Sequence, residues 1–271
     1  MTRYEIFLFS VVAALEALLC GFVYYRKLYQ RFPLFAAYAT VMLVCSAVLA
    51  AVFLRFGFRS GPSVYASWYA IAVTSLARTG AIAEVCRESL KAYEGIWALT
   101  WRLLLAMTAV FFLHAAIDAR GLPNWFTASS MTVERDVEIA SAVVLVCILI
   151  VGKYYSLSIN PLQKMLGLGI LLFCIVEFVN NSVVRDLLTH YGTAWTITKP
   201  LAERATEVWN TVQAVAADTS IGIWCFALRK PLPARSESPT LLPAAVYGEL
   251  SPDINLRLRT FNSRLMELLK P

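Results

Sequence analysis

Seven stretches of this chain are each long and apolar enough to cross a lipid bilayer, and nothing else in the sequence limits its fold as strongly. They cover about residues 4–25, 33–56, 64–85, 96–117, 137–155, 165–184 and 205–228. A helix needs about 20 apolar residues to cross a hydrocarbon core about 30 Å thick. In lipid every backbone N–H and C=O must find its partner within the protein, which leaves helices or closed barrels. Barrel strands would alternate apolar and polar residues over about ten positions, whereas these runs are continuous. The sequence therefore predicts an all-α, polytopic bundle of seven transmembrane helices over residues 1–230, placed in the cell membrane. Composition agrees: 59% of the 271 residues are hydrophobic and 15% are charged, where a soluble domain carries about 25% charge. The first run is not a cleaved leader, because it is too long, contains Glu16 and is followed by no small-x-small cleavage site.

Orientation follows from the basic residues. With the N-terminus outside, the inner ends collect Arg26, Lys27, Arg31, Arg87, Lys91, Arg102, Lys153, Lys164, Arg229, Lys230 and Arg235. The outer ends collect Arg3, Arg55, Arg59, Arg120, Arg135, Arg185, Lys199 and Arg204. Eleven against eight favours a cytoplasmic C-terminus. The acids Asp118, Glu134, Asp136, Glu138, Asp186, Glu203 and Glu207 fall on the outer side in this reading. Tyr and Trp mark both interfaces. The two longest outer loops, 119–134 and 185–204, carry Trp125, Phe126 and Trp195, which would cap an outward cavity or simply anchor at the interface. No run of basic residues suggests nucleic acid, and no metal-ligand or disulfide spacing links the six cysteines.

Ionisable side chains deep in hydrocarbon are the functional candidates, because each is costly there. Counting from the span ends places Glu16, Arg78, Glu177 and Asp218 near the middle of their helices. An unpaired arginine at that depth costs about 2.5–3.5 kcal/mol on insertion scales. Arg78 is therefore expected to face the interior and pair with Glu16, Glu177 or Asp218, leaving at least one of these acids to hold a proton. Glu84, His114, Asn180 and Asn181 form a secondary polar set. The bland alternative is that such groups only glue helices together. Leu166-Gly-Leu-Gly-Ile170 reads as a close-packing site for helices rather than a ligand loop.

Catalytic patterns are missing. The seventh span has no lysine for a retinal Schiff base, and two histidines supply neither paired haem ligands nor a three-histidine zinc site. The chain has no G-x-S-x-G, P-loop or H-E-x-x-H. The expectation is a non-enzyme with no metal and no cofactor.

After residue 228 the composition changes. Residues 231–250 form a Pro- and Ser-rich linker, and Ser251-Pro252-Asp253 opens a helix with a cap, a proline at its first position and an acid on its dipole. Ile254, Leu258, Phe261, Leu265 and Leu268 then repeat at steps of four and three, an a/d seam along residues 251–271. A helix this short needs a partner: a second copy of the chain, a separate cytoplasmic protein, or the inner lipid surface.

Seven spans with an outer N-terminus and a heptad-bearing helix emerging inside resemble the sensor modules of bacterial seven-helix receptor histidine kinases and cyclases. In those proteins the helix after the last span feeds a catalytic domain. The resemblance is one of architecture and rests on no specific motif. This sequence shows no phospho-acceptor histidine helix and no cyclase-type domain before Pro271, so the resemblance implies output through a partner. The leading functional expectation is a receptor- or sensor-like membrane protein that signals through association of its cytoplasmic tail. Two others compete with it. A small-solute or proton-coupled transporter would use the same charges, and a weak echo between Tyr24-Tyr25/Pro33-Leu34 and Tyr154-Tyr155/Pro161-Leu162 points that way. A structural subunit of a membrane complex would use the tail for docking.

Overall fold

The computed structural model of the protein describes residues 3–57, 60–91, 94–118, 125–154, 160–192, 199–229, 260–264 and 267–268. Among the described residues the chain is helical and has no strand. The helices are α1 (Arg3–Tyr25), α2 (Pro33–Phe56), α3 (Gly61–Ser89), α4 (Glu94–Asp118), α5 (Trp125–Tyr154), α6 (Pro161–Gly192) and α7 (Lys199–Leu228), with a 3-10 turn (Leu28–Gln30) between α1 and α2. Four contain a stretch long and apolar enough to cross a membrane: Ile6–Tyr25, Pro33–Phe56, Pro161–Val183 and Glu207–Leu228. The apolar stretch of α4, Trp97–Phe111, is shorter. Charge dilutes the other two, with Arg78, Glu84 and Arg87 on α3 and Glu134, Arg135, Asp136 and Glu138 on α5.

Contacts at helix ends set directions: α1 runs opposite to α2 and α4 opposite to α5, while α1 and α7 end on the same side. Phe9, early in α1, meets Phe53, late in α2, with ring centroids 6.3 Å apart. The guanidinium of Arg26, just past α1, donates to the carbonyl of Arg229, just past α7, at 2.8 Å. That bond places a cation on the C-terminal, negative end of the α7 dipole. His114, late in α4, bonds Asp136, early in α5. Helix α1 packs between α2 and α7, α6 packs between α5 and α7, and α3 lies against α2, α5 and α6. Helix α4 is peripheral, held by α5 and touching α3.

The outer surface is apolar and the interior holds charge. Leu54 is 89% exposed, whereas Glu138 and Glu177 are fully buried and Arg78 nearly so. A water-soluble fold sorts these residue types the other way. The arrangement fits a protein whose solvent is lipid.

Two packing details follow directly from residue choice. Trp224 of α7 is buried edge-on against Phe35 and Tyr38 of α2, at 5.3 and 5.9 Å between centroids. Its indole Nε1 donates to the carbonyl of Leu166 at 3.2 Å. The ring reaches that carbonyl across Gly169, where an added Cβ would overlap the indole. At Gly167 a Cβ would meet only ordinary contacts, 3.7 Å from Val85 and 3.9 Å from Leu145. Of the two glycines in the predicted packing site, Gly169 is the one the interface requires.

The second detail concerns Glu84. Helix α2 opens with Pro33, which has no N–H, and Phe32 before it supplies no side-chain cap. The next two N–H groups, of Leu34 and Phe35, donate to Glu84 Oε1 and Oε2 of α3 at 3.1 and 2.8 Å. A carboxylate thus satisfies two orphan donors at the positive end of a helix. Glu84 is a cross-helix cap in this structure. Glu84→Ala is expected to lower stability in detergent by about 2 kcal/mol, the range of a lost cap with charged hydrogen bonds. Glu84→Gln should recover part of that loss through its one acceptor oxygen. A Glu84→Ala protein as stable as the parent in chemical unfolding would remove the capping role.

The structure corrects the outer loop expected over 119–134: α5 begins at Trp125, so residues 125–134 are helical. The acids at 134, 136 and 138, expected on the outer side, lie on two buried faces of this one helix. The outer loop read at 185–204 shrinks likewise, since α6 runs to Gly192 and α7 starts at Lys199. The linker 231–250 lies outside the described residues, as does most of the tail 251–271.

Candidate functional site

The site forms where α3, α5 and α6 meet, beside α2. Helix α3 presents Arg78. Its Nη2 donates to Glu138 Oε1 of α5 in a buried ion pair, and to Ser75 Oγ one turn earlier at 3.1 Å. The guanidinium also stands over the Phe173 ring of α6, 4.5 Å from its centroid. A planar cation on an aromatic face is attracted by the ring quadrupole. Tyr38 of α2 lies next to the same guanidinium. Arg78 is therefore in contact with three other helices, as a buried guanidinium with five donors requires.

Acids outnumber the cation here. Glu134 lies one turn before Glu138 on the same face of α5, and the buried Glu177 of α6 is within electrostatic range of Arg78, Glu134 and Glu138. Helix α6 carries Cys174, Glu177 and Asn181 at three- and four-residue steps, which puts all three on one face. The Cys174 thiol adjoins Glu138, and Asn181 adjoins Glu134. Glu138 Oε2, both carboxylate oxygens of Glu177 and the amide nitrogen of Asn181 are buried without a hydrogen-bond partner among the described residues. One guanidinium neutralises one of three carboxylates.

The neighbouring asparagines clasp α7. Asn181 Oδ1 accepts from the Trp209 indole Nε1 at 3.0 Å, and Asn180 Nδ2 donates to the Trp209 carbonyl at 3.2 Å. This fixes α7 to the face of α6 that carries Glu177.

The sequence-predicted residues separate into groups. Arg78 and Glu177 come together. Glu16 and Asp218 do not join them: Glu16 of α1 is buried beside Ser46 of α2, with Asp218 of α7 as its neighbouring acid. The expected partners of Arg78 were Glu16, Glu177 and Asp218, and the structure pairs it with Glu138. A depth count along each helix places residues at one level but says nothing about which face they occupy. Glu84 is the helix cap described above. His114 Nδ1 lies 3.0 Å from Asp136 Oδ2, and Arg135 closes on Asp136 Oδ1 at 3.0 Å through Nε and 2.7 Å through Nη2. That partly exposed cluster ties the peripheral α4 to α5, and pairs of this kind contribute about 0–1 kcal/mol. Trp125 and Phe126 begin α5, with their side chains outside the described residues, and Trp195 lies outside them altogether. Of the tail seam, Phe261 and Leu268 are described and exposed, while Ile254, Leu258 and Leu265 lie outside the described residues.

Sequence reasoning passed over Glu134, Glu138, Tyr38 and Trp209. A signal for two of them was present. Glu134, Glu138, Ala142 and Leu145 follow helical spacing into the apolar run. A helical face that continues from the span through both glutamates implies that the glutamates point inward too.

Among the described residues no group of three or more His, Cys, Asp or Glu side chains is arranged to hold a metal ion. No protein-family model matches the chain, and comparisons with curated proteins and with solved structures find no match.

Proposed function

We propose that the chain is a seven-span, non-catalytic membrane protein of the receptor or sensor type. Its N-terminus is outside and its C-terminus cytoplasmic, and it signals through association of its tail with a second copy or a separate partner. One observation carries this reading. The buried pair Arg78–Glu138 joins α3 to α5, while two more buried carboxylates, Glu134 and Glu177, lie within electrostatic range of the same guanidinium. Such a pair has a second arrangement within reach. A switch needs two arrangements that a ligand distinguishes, and the tail would report which one is occupied.

The test uses the full chain carrying C-terminal fluorophores in lipid vesicles. Energy transfer between tails is expected to change in Arg78→Met and Glu177→Gln relative to the parent. Equal transfer in all three proteins would sink the signalling reading. The unpartnered carboxylates also favour a proton-coupled transporter as a second reading. That reading predicts solute-driven acidification inside proteoliposomes, abolished by Glu177→Gln.

A further inference from the structure

We propose that the ligand of this site is a proton, held between Glu134 of α5 and Glu177 of α6 while Arg78 neutralises Glu138. This names the signal for the proposed switch and rests on that reading.

The geometry divides the three acids into two classes. Glu138 has a guanidinium on Oε1. Glu177 is fully buried and neither of its oxygens has a hydrogen-bond partner among the described residues. A buried ionised carboxylate without a partner is among the most costly groups a protein can hold. Protonation removes the charge and creates an O–H donor. Glu134, on the helix packed against α6, is the neighbouring carboxylate that would accept from it.

Asn181 supplies independent support. It is 3% exposed, its Oδ1 is engaged by Trp209, and its Nδ2, beside Glu134, has no partner within hydrogen-bond distance among the described residues. With Oδ1 fixed as an acceptor, the free end of the amide is a donor. A donor suits a carboxylate acceptor and repels a metal cation. Glu134 would then accept from Asn181 and from the protonated Glu177, and both orphaned groups would be satisfied at once.

Among the described residues the surroundings place no second cation at the pair. Helix α3 contributes Arg78, already bonded to Glu138. Helix α5 contributes Glu134 and Glu138, α2 the Tyr38 hydroxyl, α6 itself the Cys174 thiol, and α7 the Trp209 indole, its Asp218 lying instead beside Glu16. The step is a simple transfer. A proton from water binds one carboxylate oxygen, the shared O–H···O bond forms, and Arg78 stays on Glu138. On release, two uncompensated carboxylates face each other, and Arg78 is drawn from Glu138 toward them.

The experiment is infrared spectroscopy of the full chain in lipid vesicles over a pH series, with energy transfer between labelled tails followed in parallel. A protonated-carboxyl C=O band that shrinks as pH rises is expected in the parent protein. Glu177→Gln should lose that band, Glu134→Gln should shift it and its titration, and Glu177→Asp should restore a titrating band. Absence of a titrating band in the parent, or a band unchanged in both Gln variants, overturns the proposal. A titrating band lost in Glu177→Gln supports the proton site even where tail transfer is flat across the pH series, a result that removes the signalling reading alone.

Discussion

Replacing Arg78 with methionine is expected to destabilise the bundle by about 3 kcal/mol, more than the loss of any one of the acids around it. Methionine keeps much of the side-chain volume, so the cavity term is small. The electrostatic term is large. Without the guanidinium, Glu138, Glu134 and Glu177 share a buried site with no cation among the described residues, and removing one partner of a buried pair costs about 3–5 kcal/mol. Taking up protons offsets part of this loss. Glu138→Gln should cost less, since Arg78 is then left with Glu134 one turn away and Glu177 on α6. The order of the two variants is thus a prediction about the surplus of acids, beyond the existence of the pair. Arg78→Lys should restore the charge but not the bond to Ser75 and the face-on contact with Phe173, leaving a partial deficit. Unfolding of the purified variants in mixed micelles provides the comparison, and a Glu138→Gln protein less stable than Arg78→Met would contradict the charge count.

Gly169→Ala should be as damaging by a different route. One methyl group at this position falls on the Trp224 indole, with Cδ1 and Cε2 each 2.9 Å from the added Cβ. The ring has nowhere to retreat, being held by Phe35, Tyr38 and its bond to the Leu166 carbonyl. Overpacking a rigid core typically costs about 1–3 kcal/mol. The upper end is expected here, because separating α6 from α7 also strains the Trp209 clasp. Gly167→Ala, two residues away, should leave stability unchanged or raise it by up to about 1 kcal/mol through helix propensity. Melting of the two alanine variants side by side decides this. Equal stability would mean that the α6–α7 approach is not set by Gly169.

These two sites show what sequence can reveal in a membrane chain and what it leaves hidden. Helix limits were legible because apolar runs end at Pro, Gly and charged residues; α2 matches its predicted limits at both ends. The packing role of Gly169 was legible because Gly has little other use inside an apolar helix, although the same reading covered Gly167, which the interface does not require. The helical state of residues 125–134 was hidden, since a cluster of acids reads as solvent-exposed unless a partner cation is known to lie opposite. That partner, Arg78, is 60 residues away in sequence. Depth along a helix follows from counting, but azimuth relative to other helices is a tertiary property. Glu16 and Glu177 illustrate this, lying at similar predicted depth on helices that face different neighbours. The cap at Glu84 was hidden for the same reason: it serves the backbone of another helix.

The central claim is that Arg78 and Glu138 are bonded to each other in the folded bundle. A double-mutant cycle with Arg78→Met, Glu138→Met and the doubly substituted chain, unfolded in the same micelles, measures it most directly. The two losses should be strongly non-additive, with a coupling of at least about 1.5 kcal/mol and a double variant more stable than Arg78→Met alone. Losses that add to within about 0.5 kcal/mol would show that the two residues do not interact, and the site built around their pairing would fall with it.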